Sequence, residues 1–227
     1  MPLYYQAARG VTALRSGVLI LPLTIANMSA GLLAGLLVTR FGRYTPFMTA
    51  GGALLIAGSA MLTQMHVTTS LGYLVGAQLL VGLGIGLGTE MPQIAVQVVL
   101  SAADVPLGFS IILLAQGLGQ ALFMSIMSSI LDNVVAKDIH DLVPGVNAGA
   151  LIEAAGGTAL FRNVPASLLP TVIRMAVQAV SHAFIPSVAM AGVAFVMSWA
   201  MEWKSVKSHA VGQEESKDVE MSPLSTI

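Results

Sequence analysis

The sequence predicts an all-α integral membrane protein with five membrane-spanning helices, and three observations carry that prediction. Charge is scarce: 9% of the 227 residues are charged and 56% are hydrophobic, where an ordinary soluble domain has about 25% charged residues. The charges are also unevenly placed. Between Gly17 and Leu131 they are Arg40, Arg43, Glu90 and Asp104 alone. Four charges cannot keep so long a stretch soluble, whereas helices facing lipid need none. Finally, apolar residues run on continuously over about 20 positions, the length a helix needs to cross the hydrocarbon. A barrel strand would alternate polar and apolar positions instead.

Taken in order, the first span is "GVLILPLTIANMSAGLLAGLLV", Gly17 to Val38. It is too long for a signal-peptide core and no small-residue cleavage site follows it, so it reads as retained. The second is Pro46 to Met65, the third Leu71 to Thr89, the fourth Leu107 to Leu131 and the fifth Ala183 to Met201. Pro22 and Pro186 fall inside spans, where side chains or neighbouring helices can satisfy a freed carbonyl. Between the third and fourth spans, Glu90, Gln93, Gln97, Ser101 and Asp104 recur at helical spacing as one polar stripe. That stripe either floats at the interface or faces an aqueous cavity. Pro92 fits its first turn. Residues 132–164 read as a polar, glycine-rich outside loop, and Ser167 to Ser181 as an amphipathic helix before the last span. Residues 1–203 thus form one membrane domain. The charged tail 204–227 has no apolar period and should be disordered.

Lysine and arginine set the orientation. Arg40 and Arg43 follow the first span, and Lys204 and Lys207 follow the fifth. Five spans put both pairs on one side, read as cytosolic together with the C-terminus. Trp199 and Trp203, beside Lys204, suit an interfacial aromatic belt.

Composition excludes several functions. A net charge of −1 offers no field for nucleic acid. Without cysteine there is no disulfide, thiol nucleophile or thiolate metal site. His66 and His182 have no second ligand at metal spacing, and no hydrolase, metalloprotease or phosphate-loop motif occurs, so neither an enzyme nor a cofactor is expected.

The turn after the first span is the most informative stretch. "GLLVTRFGRYTP", Gly35 to Pro46, resembles the G-x-x-x-D-R-x-G-R-R/K signature of the major facilitator superfamily through Gly35, Arg40, Gly42 and Arg43. Thr39 replaces the acid and Tyr44 a base. "LYYQAARGVTALRSGVLILP", "GAQLLVGLGIGLGTEMPQIAVQVVL", "AQGLGQALFMSI" and "MEWKSVK" resemble further stretches of fungal drug and toxin exporters. The chain is similar to the C-terminal part of the 14-span drug:proton antiporters of fungi. The resemblance implies efflux of small apolar or amphipathic organic solutes coupled to protons, in the plasma membrane or the vacuolar membrane. It also implies that the chain begins at the end of the seventh core helix and lacks the N-terminal half. Such a chain is either one wall of a carrier or a non-transporting membrane component that associates with other subunits.

Polar groups within spans are functional candidates. Gln116 and Gln120 share a face of the fourth span; Gln78 lies midway along the third and Asn27 along the first. They either line a substrate cavity or hydrogen-bond between helices. Glu90, at the edge of a span, either carries a proton or rests ionised at the interface near Arg40 or Arg43. The arginines, with Gly35 and Gly42, are the expected cytosolic gate.

The run "VGLGIGLGTE", Val81 to Glu90, has no lysine after it and no strand before it, which argues against a phosphate loop. Gly82/Gly86 and Gly84/Gly88 are instead two interleaved G-x-x-x-G pairs on roughly opposite helix faces, expected to admit two neighbouring helices. Gly72/Gly76 is a third such pair.

Overall fold

The computed structural model describes residues 1–142 and 169–200. The described residues are helical, without strands, and five of their segments are long and apolar enough to cross a membrane. The helices are α1 (Pro2–Arg9), α2 (Ala13–Val18), α3 (Leu21–Phe41), α4 (Thr45–Thr63), α5 (Leu71–Thr89), α6 (Met91–Val99), α7 (Val105–Leu142), α8 (Leu169–Ala183) and α9 (Ile185–Trp199). The segment 143–168 and the tail from 201 onward lie outside the described residues. They include Trp203, the tail expected to be disordered and most of the expected outside loop.

Proline sets the helix starts. Pro2 is the first residue of α1; Pro22, Pro46, Pro92, Pro106 and Pro186 are each the second residue of their helix, and Pro170 is the second described residue of α8. An N–H there has no intrahelical acceptor, so proline removes nothing, and its fixed φ suits the first turn. Both prolines lie inside candidate spans as expected, Pro22 in Ala13–Phe41 and Pro186 in Ile173–Trp199. Just before Pro22 the chain turns at Leu19 and Ile20 and α3 begins afresh at Leu21. Pro186 likewise opens α9 after a turn at Phe184.

One sequence expectation is corrected at residues 132–142. The polar side chains there suggested a loop, yet α7 runs on to Leu142. Polarity ends a hydrocarbon span, but it does not end a helix. "DNVVAKDIHDL" contains neither glycine nor proline, the residues that break one.

Caps close the other ends. Gly10 (φ 60°) and Gly42 (φ 72°) adopt the left-handed conformation after α1 and α3, and the Gly42 N–H donates to Val38 O at 2.7 Å. Ser70 Oγ accepts from Tyr73 N at 3.3 Å to start α5. Hydroxyls inside the spans bond back to their own helix: Thr49 to Thr45 O, Thr63 to Ala60 O and Ser198 to Phe195 O. Lipid offers them no other acceptor.

Helix α5 is the centre of the bundle, between α3 and α4, and α9 packs on the α4 side. The α3 face turned to it is the four-spaced row Ala26, Ala30, Ala34, Val38, all buried. Opposite that row lie Gly82 and Gly86. A Cβ on Gly82 would stand 2.9 Å from Ala26 Cβ and 3.1 Å from Asn27 N; one on Gly86 would stand 2.7 Å from Ala30 Cβ and 3.0 Å from Gly31 N. Gly84 faces the other way, where a Cβ would be 2.7 Å from Leu55 N and 2.8 Å from Gly51 O on α4. One glycine-rich helix therefore touches two neighbours backbone to backbone. Van der Waals contact of this kind holds helices together where lipid leaves little hydrophobic drive. A Cβ added to Gly72, Gly76 or Gly88 would meet nothing within 4 Å, so among the described residues no neighbour needs glycine at the Gly72/Gly76 pair.

Two apolar clusters close the ends of the bundle. At one end Tyr4, Tyr5, Leu62, Met65, Leu74, Val177 and Val180 pack together, joining α1, α4, α5 and α8. Tyr4 Oη donates to His66 O at 2.7 Å, Arg9 Nη2 to Thr69 O at 2.6 Å, and Ser181 Oγ to Thr63 O. Burial pushes the Tyr4 and Tyr5 phenols up from their ordinary value, so both stay neutral hydroxyls at neutral pH. At the other end Ala34, Val38, Tyr44, Met91 and Ala95 pack between α3 and α6.

Candidate functional site between the first and third spanning helices

A groove of about 670 Å³ runs along the junction of α3 and α5. Its α3 wall is Asn27, Met28, Gly31, Leu32 and Gly35; its α5 wall is Ile85, Gly86 and Thr89; Glu90 and Ile94 close the end. Glycine creates it. Gly35 has open space where a side chain would be, and a Cβ on Gly31 would meet only Gly86 O at 3.8 Å. The groove is open-sided, with Met28 and Leu32 66% and 73% exposed on its flank.

The structure brings some sequence candidates together and separates others. Asn27 and Glu90, on different spans in the sequence, line the same groove, with Gly35 between them. Gly35 was expected to let two helices meet closely. Among the described residues that contact is made by Gly86, because Gly35 sits one helical face away, on the groove side. Glu90 is exposed where α5 ends and α6 begins, and among the described residues no ion pair joins it to Arg40 or Arg43. Gly42 makes the left-handed turn between α3 and α4, and Arg40 and Arg43 flank it, both exposed.

Gln78 is elsewhere. It is fully buried in the α1 end of the bundle, where its Nε2 donates to Tyr5 Oη at 2.5 Å. Its Oε1 is buried without a partner. This places Gln78 in the contact between α5 and α1, not in the groove wall. Gln116 and Gln120 are exposed on α7. They share one face with the half-buried Phe109, Ile112, Phe123 and Met127. Helix α7 touches α6 and α8, and among the described residues nothing covers the glutamines between those contacts.

Sequence reasoning missed Tyr4, Tyr5 and Tyr44. The first two lie in an N-terminal stretch that holds no long apolar run, and only the fold shows them buried. Tyr44, standing where a base would stand in the turn motif, is 1% exposed and packs against Val38, Met91 and Ala95. A long aromatic after a basic turn gives no periodic signal of burial. Thr89 was also missed. It lines the groove, and its Oγ1 donates to Ile85 O at 2.7 Å.

With this geometry established, comparison with known proteins is specific. The chain is 39% identical over 207 residues to the efflux pump roqT of Penicillium rubens, covering 91% of this chain and 38% of that protein. It is 34% identical to the MFS-type transporter astH of Aspergillus oryzae, over 91% of this chain and 36% of the transporter. It is 37% identical to the MFS-type transporter ltbE of Aspergillus luteorubrus, over 90% and 37% respectively. The chain therefore spans a little over a third of the length of these curated relatives. No family model and no solved structure matches it. The five apolar helices and these relatives make it an integral membrane protein. Its similarity, over about nine-tenths of its length, to fungal MFS-type transporters and efflux pumps places the chain in the major facilitator superfamily.

Proposed function

We propose that the chain is the C-terminal part of a proton-coupled secondary carrier that exports small apolar or amphipathic organic molecules. The observation that carries this reading is the α3–α5 groove, an apolar trough with a few polar groups, which is the usual chemistry of a small-molecule site. Relatives named as efflux pumps, among them roqT and the aunC pump of Aspergillus niger, support the direction of transport. In this reading the groove is one wall of the solute path. Gln116 and Gln120 on α7 form a second polar patch on that path. The turn containing Gly42, Arg40 and Arg43 is the cytosolic gate, and Glu90 is the proton-linked carboxylate. The carrier sits in the plasma membrane with its C-terminus in the cytosol, and the wall facing this one comes from the N-terminal half of such a carrier. Movement follows by rocking one half against the other.

The test replaces the matching segment of the roqT pump by this chain. The chimera is reconstituted in vesicles with an imposed proton gradient, and flux of a fluorescent amphipathic dye is measured. Dye should move with the gradient and stop on adding an uncoupler. No flux from a folded chimera, when roqT itself is active in the same vesicles, overturns the reading and favours a non-transporting membrane component.

A further inference from the structure

Glu90 is the one charged residue among the ten that line the groove. Three observations make that charge decisive. First, Glu90 stands where α5 ends and α6 starts, so the negative end of one helix dipole meets the positive end of the other. The two fields largely offset, and the carboxylate sets the sign. Second, Arg40 and Arg43 are not in the wall and make no ion pair with Glu90 among the described residues. Third, the polar groups beside it carry no charge of their own. The Thr89 hydroxyl proton is committed to Ile85 O at 2.7 Å, which leaves the oxygen's lone pairs. The Asn27 amide, also in the wall, has no protein partner among the described residues and offers a carbonyl to a cation as well as its two N–H donors.

We infer that the groove takes small organic cations, a protonated amine or an onium centre on an apolar body. The positive centre lies against Glu90, and the body lies along Met28, Leu32, Ile85 and Ile94. The inference rests on reading the groove as a solute-binding wall. About 670 Å³ suits one molecule of drug size. An anion of the same shape would meet an unpaired carboxylate with no cationic side chain in the wall to offset it, so shape alone does not admit it.

Two ions of nearly equal size and opposite charge test this. Binding of tetraphenylphosphonium and of tetraphenylborate to the full chain in lipid nanodiscs is measured against empty discs. The expected result is a preference for the phosphonium. Glu90→Gln should weaken phosphonium binding about five- to tenfold, the scale of one partly solvated charge pair, and leave or improve borate binding. Glu90→Asp, which keeps the charge, should retain the preference. Far-UV circular dichroism and gel filtration establish that each variant is folded. An unchanged ratio of the two ions in folded Glu90→Gln overturns the inference and leaves a groove for neutral solutes. The carrier reading is tested separately: charge discrimination without dye flux in the chimera sinks the carrier and not the cation site, and flux without discrimination does the reverse.

Discussion

Gly86 and Gly88 lie two residues apart on one helix and meet opposite conditions. A methyl group at 86 would collide with the α3 backbone and with Ala30, whereas a methyl at 88 would enter open space. Gly86→Ala is therefore expected to destabilise the bundle by about 1–3 kcal/mol, the usual cost of overpacking where the neighbour cannot yield. Gly88→Ala should stay within about 0.5 kcal/mol. Denaturant unfolding of the two variants in detergent micelles, side by side, checks the difference; equal losses would mean that α3 and α5 do not touch at Gly86. The sequence identified the glycine pairs but could not rank their members. The G-x-x-x-G spacing fixes which residues share a face, and only the neighbour's position fixes which face is filled. For the same reason Gly72/Gly76 looked equivalent to Gly82/Gly86 and is not.

At the scale of elements, α1 is the least expected part. It is eight residues long, too short to be stable alone, and the bundle holds it through Tyr4, Tyr5 and Arg9. Among the described residues the Tyr5–Gln78 bond is the buried side-chain hydrogen bond that ties it to α5. Tyr5→Phe should cost about 1–3 kcal/mol, because it strips a buried amide of its only partner. Combining it with Gln78→Leu should recover most of that loss, since two apolar side chains need no partner. Protease sensitivity at Gly10 and the unfolding midpoint read the two variants. If the double variant is no better than Tyr5→Phe, Gln78 has a role outside this contact. Span lengths were legible from apolar run length because lipid imposes the same requirement at every residue. Helix boundaries were less so. The starts of α3 and α9 are set by proline, and the end of α7 is set by helix propensity, neither of which hydropathy measures.

At the scale of the molecule, one 19-residue helix, α4, separates the Gly42 turn from the 64–70 connection. At about 1.5 Å per residue it spans about 28 Å, close to a hydrocarbon thickness, so the two connections lie on opposite sides of the membrane. The absence of cysteine allows a direct check. Thr39→Cys and Thr68→Cys, both at exposed positions, should react with an impermeant maleimide from opposite sides of intact cells. Labelling of both from one side would mean that α4 does not span. The α7 helix makes the complementary point. From Val105 to Ile130 Gly108 alone is buried, so among the described residues the apolar surface of α7 meets lipid or the remainder of a longer carrier.

The sequence by itself determined the solvent, the number of spans and the family, because a bilayer tests every residue for polarity and the turn motif is local. Only the tertiary structure decided the site. Asn27 and Glu90 are 63 positions apart, and nothing periodic links them. They share a groove because glycine lets α3 and α5 approach until one wall meets the other. Tertiary packing likewise drew Gln78 into the core and left Gln116 and Gln120 uncovered among the described residues. Polarity marks a residue as unusual in a membrane, but which of its neighbours approach depends on how whole helices cross.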